Sequence, residues 1–295
     1  MRGDSDRRTQ RLRRRPGGPG GAHTGVCVHS SAVIGSDVEL GVGTEVGPFC
    51  RFEARVRTGE RCSFGTGAVV GSAPMDRSYR GEDTEVVIGS ANRFCEYVTI
   101  NRATGEGGAT VVGDGNFVMA YVHIGHNCRI GTGCTITNGV QLGGHVSVGD
   151  GANLGGLTGV HQHSRIGRLA MVGACSYVNK DIPAFVVAAG NPCRVRGLNV
   201  TGLIRAGVGQ EAIRILRRAF RLVYRADLNC LKLSTESRPS CSPEPDRAKD
   251  WNICLVSLSP SGPASVASSC VQQTMLHTVK RDAARAEVPR PASVA

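Results

Sequence analysis

Between Val112 and Pro183 an aliphatic residue returns every six positions, twelve times without a break: VGDGNF, VMAYVH, IGHNCR, IGTGCT, ITNGVQ, LGGHVS, VGDGAN, LGGLTG, VHQHSR, IGRLAM, VGACSY, VNKDIP. Gly is usually second, and a small or β-branched residue is usually fifth. A helix cannot keep this period, because 3.6 residues per turn drifts against six. A simple strand would alternate every two. The pattern predicts a parallel β-helix, an all-β fold in which three hexads make one 18-residue triangular coil. Eight earlier hexads run from Val28 to Met75, and three more from Ile88 to Gly105. The total of 23 predicts seven to eight coils. Coils stack at about 4.8 Å, the spacing of paired strands. Residues 76–87 and 106–111 break the period and are expected to leave the scaffold as loops, where function concentrates.

Outside the hexads the pattern changes twice. Residues 1–25 are rich in Arg, Gly and Pro without period, and are expected to be a disordered basic extension. The repeat domain is expected over 26–190. A crossover and helix follow over 191–234. In Gln210–Ala226, Ile213, Leu216, Phe220 and Val223 form one apolar face. Arg214, Arg217, Arg218, Arg221 and Arg225 make much of the remainder. Residues 235–295 are Ser- and Pro-rich and expected to be disordered, with a weak helix over 271–287.

Composition agrees with a solenoid. Aromatics are only 4% of 295 residues and there are 40 Gly, as befits coils that bury small aliphatics on their neighbours. The net charge is +11, of which +5 lies in residues 1–15, so acidic partners are favoured. Of twelve Cys, Cys50, Cys62, Cys128 and Cys134 fall fifth in a hexad. That position asks for a small buried residue, so they read as packing in a reducing compartment rather than as disulfides. No CxxC pair suggests zinc, and no apolar run approaches the ~20 residues of a membrane span.

Five of the eight His fall between 123 and 163. An 18-residue coil stacks His126, Gly144 and Gln162 in one column and His145 and His163 in the next. One such imidazole alone is a solvated surface residue; the cluster reads as a site. Two chemistries compete for it. Several neutral imidazoles can hold a zinc-type ion, or one can act as general base on a hydroxyl. Spacing alone leaves both open.

The segments YVHIGHNCRIG, LGGHVSVGD, GGLTGVHQHSRIG, VGACSYV, GNPCRVRGLNVTGLIRAG and PMDRSYRGE carry a resemblance. From about Val26 to Ala226 the chain resembles the bacterial acyl-ACP–UDP-N-acetylglucosamine O-acyltransferases of lipid A synthesis. The resemblance implies a left-handed parallel β-helix with an α-helical C-terminal region, here partly lost. It implies a cytoplasmic homotrimer with sites between subunits, working on acidic acyl carrier protein and UDP-N-acetylglucosamine. Neither nucleic acid nor metal is implied, and no cofactor beyond the phosphopantetheine on the carrier.

The same resemblance assigns roles by residue. His126 is implied as the base that takes the proton from the sugar 3-hydroxyl, with Asn127 orienting it where the family commonly has an acidic residue. Gly144 is implied as the backbone oxyanion donor. Asp76, His123, His145, His161 and Gln162 are implied as substrate contacts, with Asn199 and Arg205 on nucleotide and acyl donor. Ala174 is implied as the acyl-chain ruler. The chain departs from the family at Ser78, Thr201 and Ala206, where Lys, Glu and Arg are usual, and Arg77 or Arg80 is expected to replace the loop charge. After about residue 229 no resemblance is expected. Other readings are an N-acyltransferase of the same pathway, a trimeric zinc lyase of the carbonic-anhydrase type, and a non-catalytic degenerate scaffold.

Overall fold

A computed structural model describes residues 9–12 and 25–225. Short strands, many of only two residues, are joined by tight corners and stack into three sheets of eleven, eight and seven strands. From Val26 to Ala189 the strands run parallel, each pairing with the one a coil later. His123 of strand His123–Ile124 pairs with Gln141, and Gln141 with Gly159, two steps of 18 residues. The protein is a left-handed parallel β-helix: the period of six predicts the coil and the family resemblance implies its hand.

The reason is visible in burial. The residue that opens each hexad points inward: Val118, Ile124, Ile136, Leu142, Leu154 and Val172 are fully buried. The fifth position is buried too, including Cys50, Cys62, Cys128 and Cys134 at 0–1% exposure. Burial pushes the Cys128 thiol up to about 12 and the Cys134 thiol up to about 11, so both behave as inert packing groups. In the first coils the core includes a cluster of aromatics. Phe64 stacks on Phe94 at 4.8 Å and meets Phe52 edge-on at 4.9 Å.

Corners turn on backbone that most residues avoid. A left-handed φ recurs at six-residue steps, for example at Tyr121, Asn127, Gly133, Gly139, His145, Gly151, Leu157 and His163. Asn and Gly take this conformation at low cost.

The two interruptions are loops, but displaced toward the N-terminus of the expected spans, over 73–84 and 102–108. Strands Glu85–Ile88 and Ala109–Val112 reclaim 85–87 and 109–111. Each alternates half-buried and buried residues, a period of two that a search in sixes passes over. Within the expected N-terminal extension, Thr9–Leu12 pairs antiparallel with Val26–His29. The first coil presents an unpaired strand edge, and a four-residue segment takes it. The rest of that extension, the expected tail over 235–295 and the weak helix over 271–287 lie outside the described residues.

The chain divides into two compact units, 1–196 and 197–295. In the second, α1 (Val200–Arg205) starts on Asn199, whose Oδ1 accepts from Gly202 N–H at 3.0 Å, a conventional N-cap. Gly207, in the left-handed region, follows it. Helix α2 (Gln210–Arg225) buries Ala212, Ile213 and Leu216, while Arg214, Arg217, Arg218 and Arg221 are exposed.

Because the first coils rest on the Phe cluster, Phe94→Ala is expected to cost about 3–5 kcal/mol. Exposed Arg129→Ala is expected to stay within about 0.5 kcal/mol. Denaturant titration checks both. Equal effects from the two would contradict the packing described.

Candidate active site

The site forms where one corner column meets the two loops. Asn127, His145 and His163 are successive corner residues 18 apart, all with left-handed φ. Backbone bonds fix the column: His145 N–H donates to the His126 carbonyl at 2.8 Å, and His163 N–H to the Gly144 carbonyl at 2.9 Å. The rings follow. His145 stacks on His163 at 4.5 Å and meets His126 edge-on at 5.2 Å. Gly144 lies directly over His126. A Cβ built there would fall inside the imidazole ring's contact surface, closest to Nε2. Only glycine leaves room for that ring. Among the described residues, no hydrogen bond takes up the Gly144 N–H.

His126 is 14% exposed and its two nitrogens have different surroundings. Nδ1 lies 2.8 Å from Asn127 Oδ1. Nε2 faces Asp76 Oδ2 at 3.9 Å. Asp76 reaches this position on the first loop, pinned by Ser78, whose backbone N–H and hydroxyl both donate to Oδ1 at 2.8 Å. Those bonds, then the His126 and His145 imidazoles, hold the carboxyl below its usual range. Ser78, read from sequence only as a lost Lys, is therefore what fixes Asp76. Arg80 turns back on its own loop, donating to the carbonyls of Arg77 and Tyr79 at 2.8 and 3.1 Å, so its guanidinium is already engaged within the loop.

The other residues named from the sequence belong partly to the coils and partly to the second unit. His123 begins the strand one position from buried Ile124 and lies 2.8 Å from Thr99 Oγ1. Burial, then the neighbouring His126, holds it below the usual imidazole range. His145 is held below it as well, by partial burial first, then by His163 and His126, with Asp76 opposing. His161 Nδ1 donates to the Gln162 carbonyl at 3.0 Å, and both residues are exposed. Ala174 is exposed one coil beyond Gly155, whose missing side chain makes room for the Ala174 backbone. Asn199 and Arg205 cap and end α1 in the second unit, Arg205 exposed. Sequence reasoning missed Thr104. Its N–H and hydroxyl donate to Asn127 Oδ1 at 2.9 and 3.0 Å, and its carbonyl accepts from Asn127 Nδ2 at 3.0 Å. It sits in residues 100–105, counted as the last hexad before the second break, although the strand there ends at Asn101 and the loop has already begun. Among the described residues, no group of three or more His, Cys, Asp or Glu is arranged to hold a metal. No helix among them is long and apolar enough to cross a membrane.

Comparison with known proteins bears on this geometry. Residues 109–144 match the bacterial transferase hexapeptide family of six repeats, and residues 181–248 match domain 2 of UDP-N-acetylglucosamine O-acyltransferase. The second match continues past residue 229, where the sequence reading expected the likeness to end. The structure is similar to the O-acyltransferase of Moraxella catarrhalis, with a TM-score of 0.68, 33% identity, and coverage of 72% of this chain and 82% of that one. It is similar also to the Arabidopsis acyltransferase, with a TM-score of 0.56, 30% identity, and coverage of 72% and 83%. The acyl-[acyl-carrier-protein]–UDP-N-acetylglucosamine O-acyltransferase of Gloeothece citriformis is 48% identical over 179 residues, 61% of this chain and 64% of that protein's length. The counterpart from Paraburkholderia phymatum is 45% identical over 221 residues, 68% of this chain and 84% of that protein. At that identity and coverage, and with the repeat scaffold matched in solved structures, the chain belongs to the acyl-[acyl-carrier-protein]–UDP-N-acetylglucosamine O-acyltransferase family.

Proposed function

We propose that the protein moves a 3-hydroxyacyl chain from acyl carrier protein to the 3-hydroxyl of UDP-N-acetylglucosamine, the first step of lipid A synthesis. One observation carries the reading. His126 is anchored through Nδ1 while Nε2 points between Asp76 and the glycine that makes room for it. Nε2 takes the proton of the sugar hydroxyl as that oxygen attacks the thioester carbonyl. The Gly144 N–H, uncommitted among the described residues, donates to the oxyanion that forms. Collapse expels the carrier thiolate, which recovers the proton from His126. No added cofactor enters these steps, since the donor brings its own phosphopantetheine.

Asp76, His123, His145, His161 and Gln162 bind the sugar nucleotide in this reading, and Asn199 and Arg205 contact nucleotide and donor. With their acidities displaced toward the neutral form, His123 and His145 serve at pH 7 as hydrogen-bonding groups rather than charges. The carrier is acidic, and the exposed Arg217, Arg218 and Arg221 of α2 suit it. Homotrimer formation is supported by an apolar corner with Phe49, Tyr97, Tyr121 and Leu157 exposed at 49–71%. The cytoplasm suits buried, unpaired cysteines such as Cys50, Cys62, Cys128 and Cys134 used as packing.

The wild-type protein is expected to transfer 3-hydroxyacyl groups from the carrier to UDP-N-acetylglucosamine, and to run as a trimer in native mass spectrometry of the same sample. His126→Ala is expected to stay folded and lose about 10²–10⁴ in turnover. A folded variant with wild-type turnover would remove His126 from the mechanism.

Ala174 sets the acyl length in this account by ending the chain groove. Each methylene buried is worth about 0.8 kcal/mol, so a misfit of two carbons shifts selectivity by more than about tenfold. Ala174→Met is expected to move the preference several carbons shorter when donors of graded length compete. An unchanged length profile would place the end of the groove elsewhere.

A further inference from the structure

The general-base reading asks something of His126 that a histidine in water does not supply. The nitrogen facing the pocket is Nε2, so the base needs its lone pair there and its proton on Nδ1. Free neutral histidine favours the opposite tautomer. Whatever faces Nδ1 must therefore be an acceptor, and must be prevented from becoming a donor.

Asn127 is a poor guarantee of this by itself. An amide rotated by half a turn offers N–H where it offered C=O. The second loop removes that freedom. Thr104 N–H and Thr104 Oγ1 both donate to Oδ1, at 2.9 and 3.0 Å, and the Thr104 carbonyl accepts from Nδ2 at 3.0 Å. In the rotated amide, Nδ2 would face the Thr104 N–H and Oδ1 would face the Thr104 carbonyl, two repulsions in place of two bonds. Thr110 holds the other side, its hydroxyl accepting from Asn127 N–H at 2.9 Å. Thr104, through its backbone and its hydroxyl together, thus sets the orientation without reference to His126. The oxygen that results lies 2.8 Å from Nδ1 and can only accept.

We propose that Thr104 is a positioning residue for catalysis: it locks the Asn127 amide, and the amide keeps the proton of His126 on Nδ1 and the lone pair on Nε2. The proposal rests on the general-base reading for its purpose, but the lock itself does not. It also gives the departure at Asn127 a physical content. An Asp in the same pose would set a carboxylate oxygen against the Thr104 carbonyl, so this loop is built for an amide.

The test separates the lock from the mechanism. Long-range ¹H–¹⁵N correlations of histidine-labelled, unliganded full chain read the tautomer of neutral His126. Steady-state kinetics read its consequence. The wild type is expected to show Nδ1–H. Thr104→Val, which removes one of the two donors to Oδ1 and leaves the backbone pair, is expected to let Nε2–H appear beside Nδ1–H. It is also expected to lower kcat, by at most the roughly tenfold that one lost hydrogen bond is worth, with KM unchanged. Thr104→Ser is expected to restore both readouts. Nε2–H in the wild type would overturn the lock without recourse to any variant. So would a Val variant with wild-type tautomer and kcat. A shifted tautomer with undiminished kcat would uphold the lock and instead overturn His126 as the base.

Discussion

Everything in this protein depends on the coil length of 18 residues. It brings each aliphatic back over its predecessor, so the interior is a stack of like side chains packed at strand spacing. The same constraint acts on the outside. A corner residue also returns every 18, and that makes Asn127, His145 and His163 a column although they are distant in sequence. The candidate site is thus a by-product of the rule that packs the core, with rigid backbone ladders beneath each imidazole.

Two loops turn that column into a site. A bare corner of the β-helix offers imidazoles but no carboxylate, and its corner amide is free to rotate. The first loop delivers Asp76, held by Ser78 before any ligand arrives. The second delivers Thr104 against Asn127. Each loop therefore spends its own hydrogen bonds on orienting one polar group that faces His126. This division suits a scaffold whose regular part cannot vary without disturbing the core.

The parts of the account that obey the period were legible in the sequence. His126 beneath Gly144 and His145 beneath His163 follow from adding 18, and the structure places them in contact. What departs from the period was not legible. Thr104 and Asn127 lie 23 residues apart, because the second loop shifts the count, and no column arithmetic pairs them. Asp76 was assigned only through family resemblance, since its loop carries no register at all. Strands Glu85–Ile88 and Ala109–Val112 were counted as loop because they alternate in twos. In each case legibility ended where the chain leaves the repeat.

The most direct test of the account adds one methyl group. Gly144 has an ordinary φ, so its backbone accepts Ala, and the ring of His126 is the neighbour that the new Cβ meets. Gly144→Ala is expected to keep the wild-type melting transition and lose about 10²–10³ in turnover, as the base is displaced and the oxyanion donor misaligned. A folded Gly144→Ala protein that transfers acyl groups at the wild-type rate would contradict the claim that the column of Gly144 and His126 is the catalytic centre.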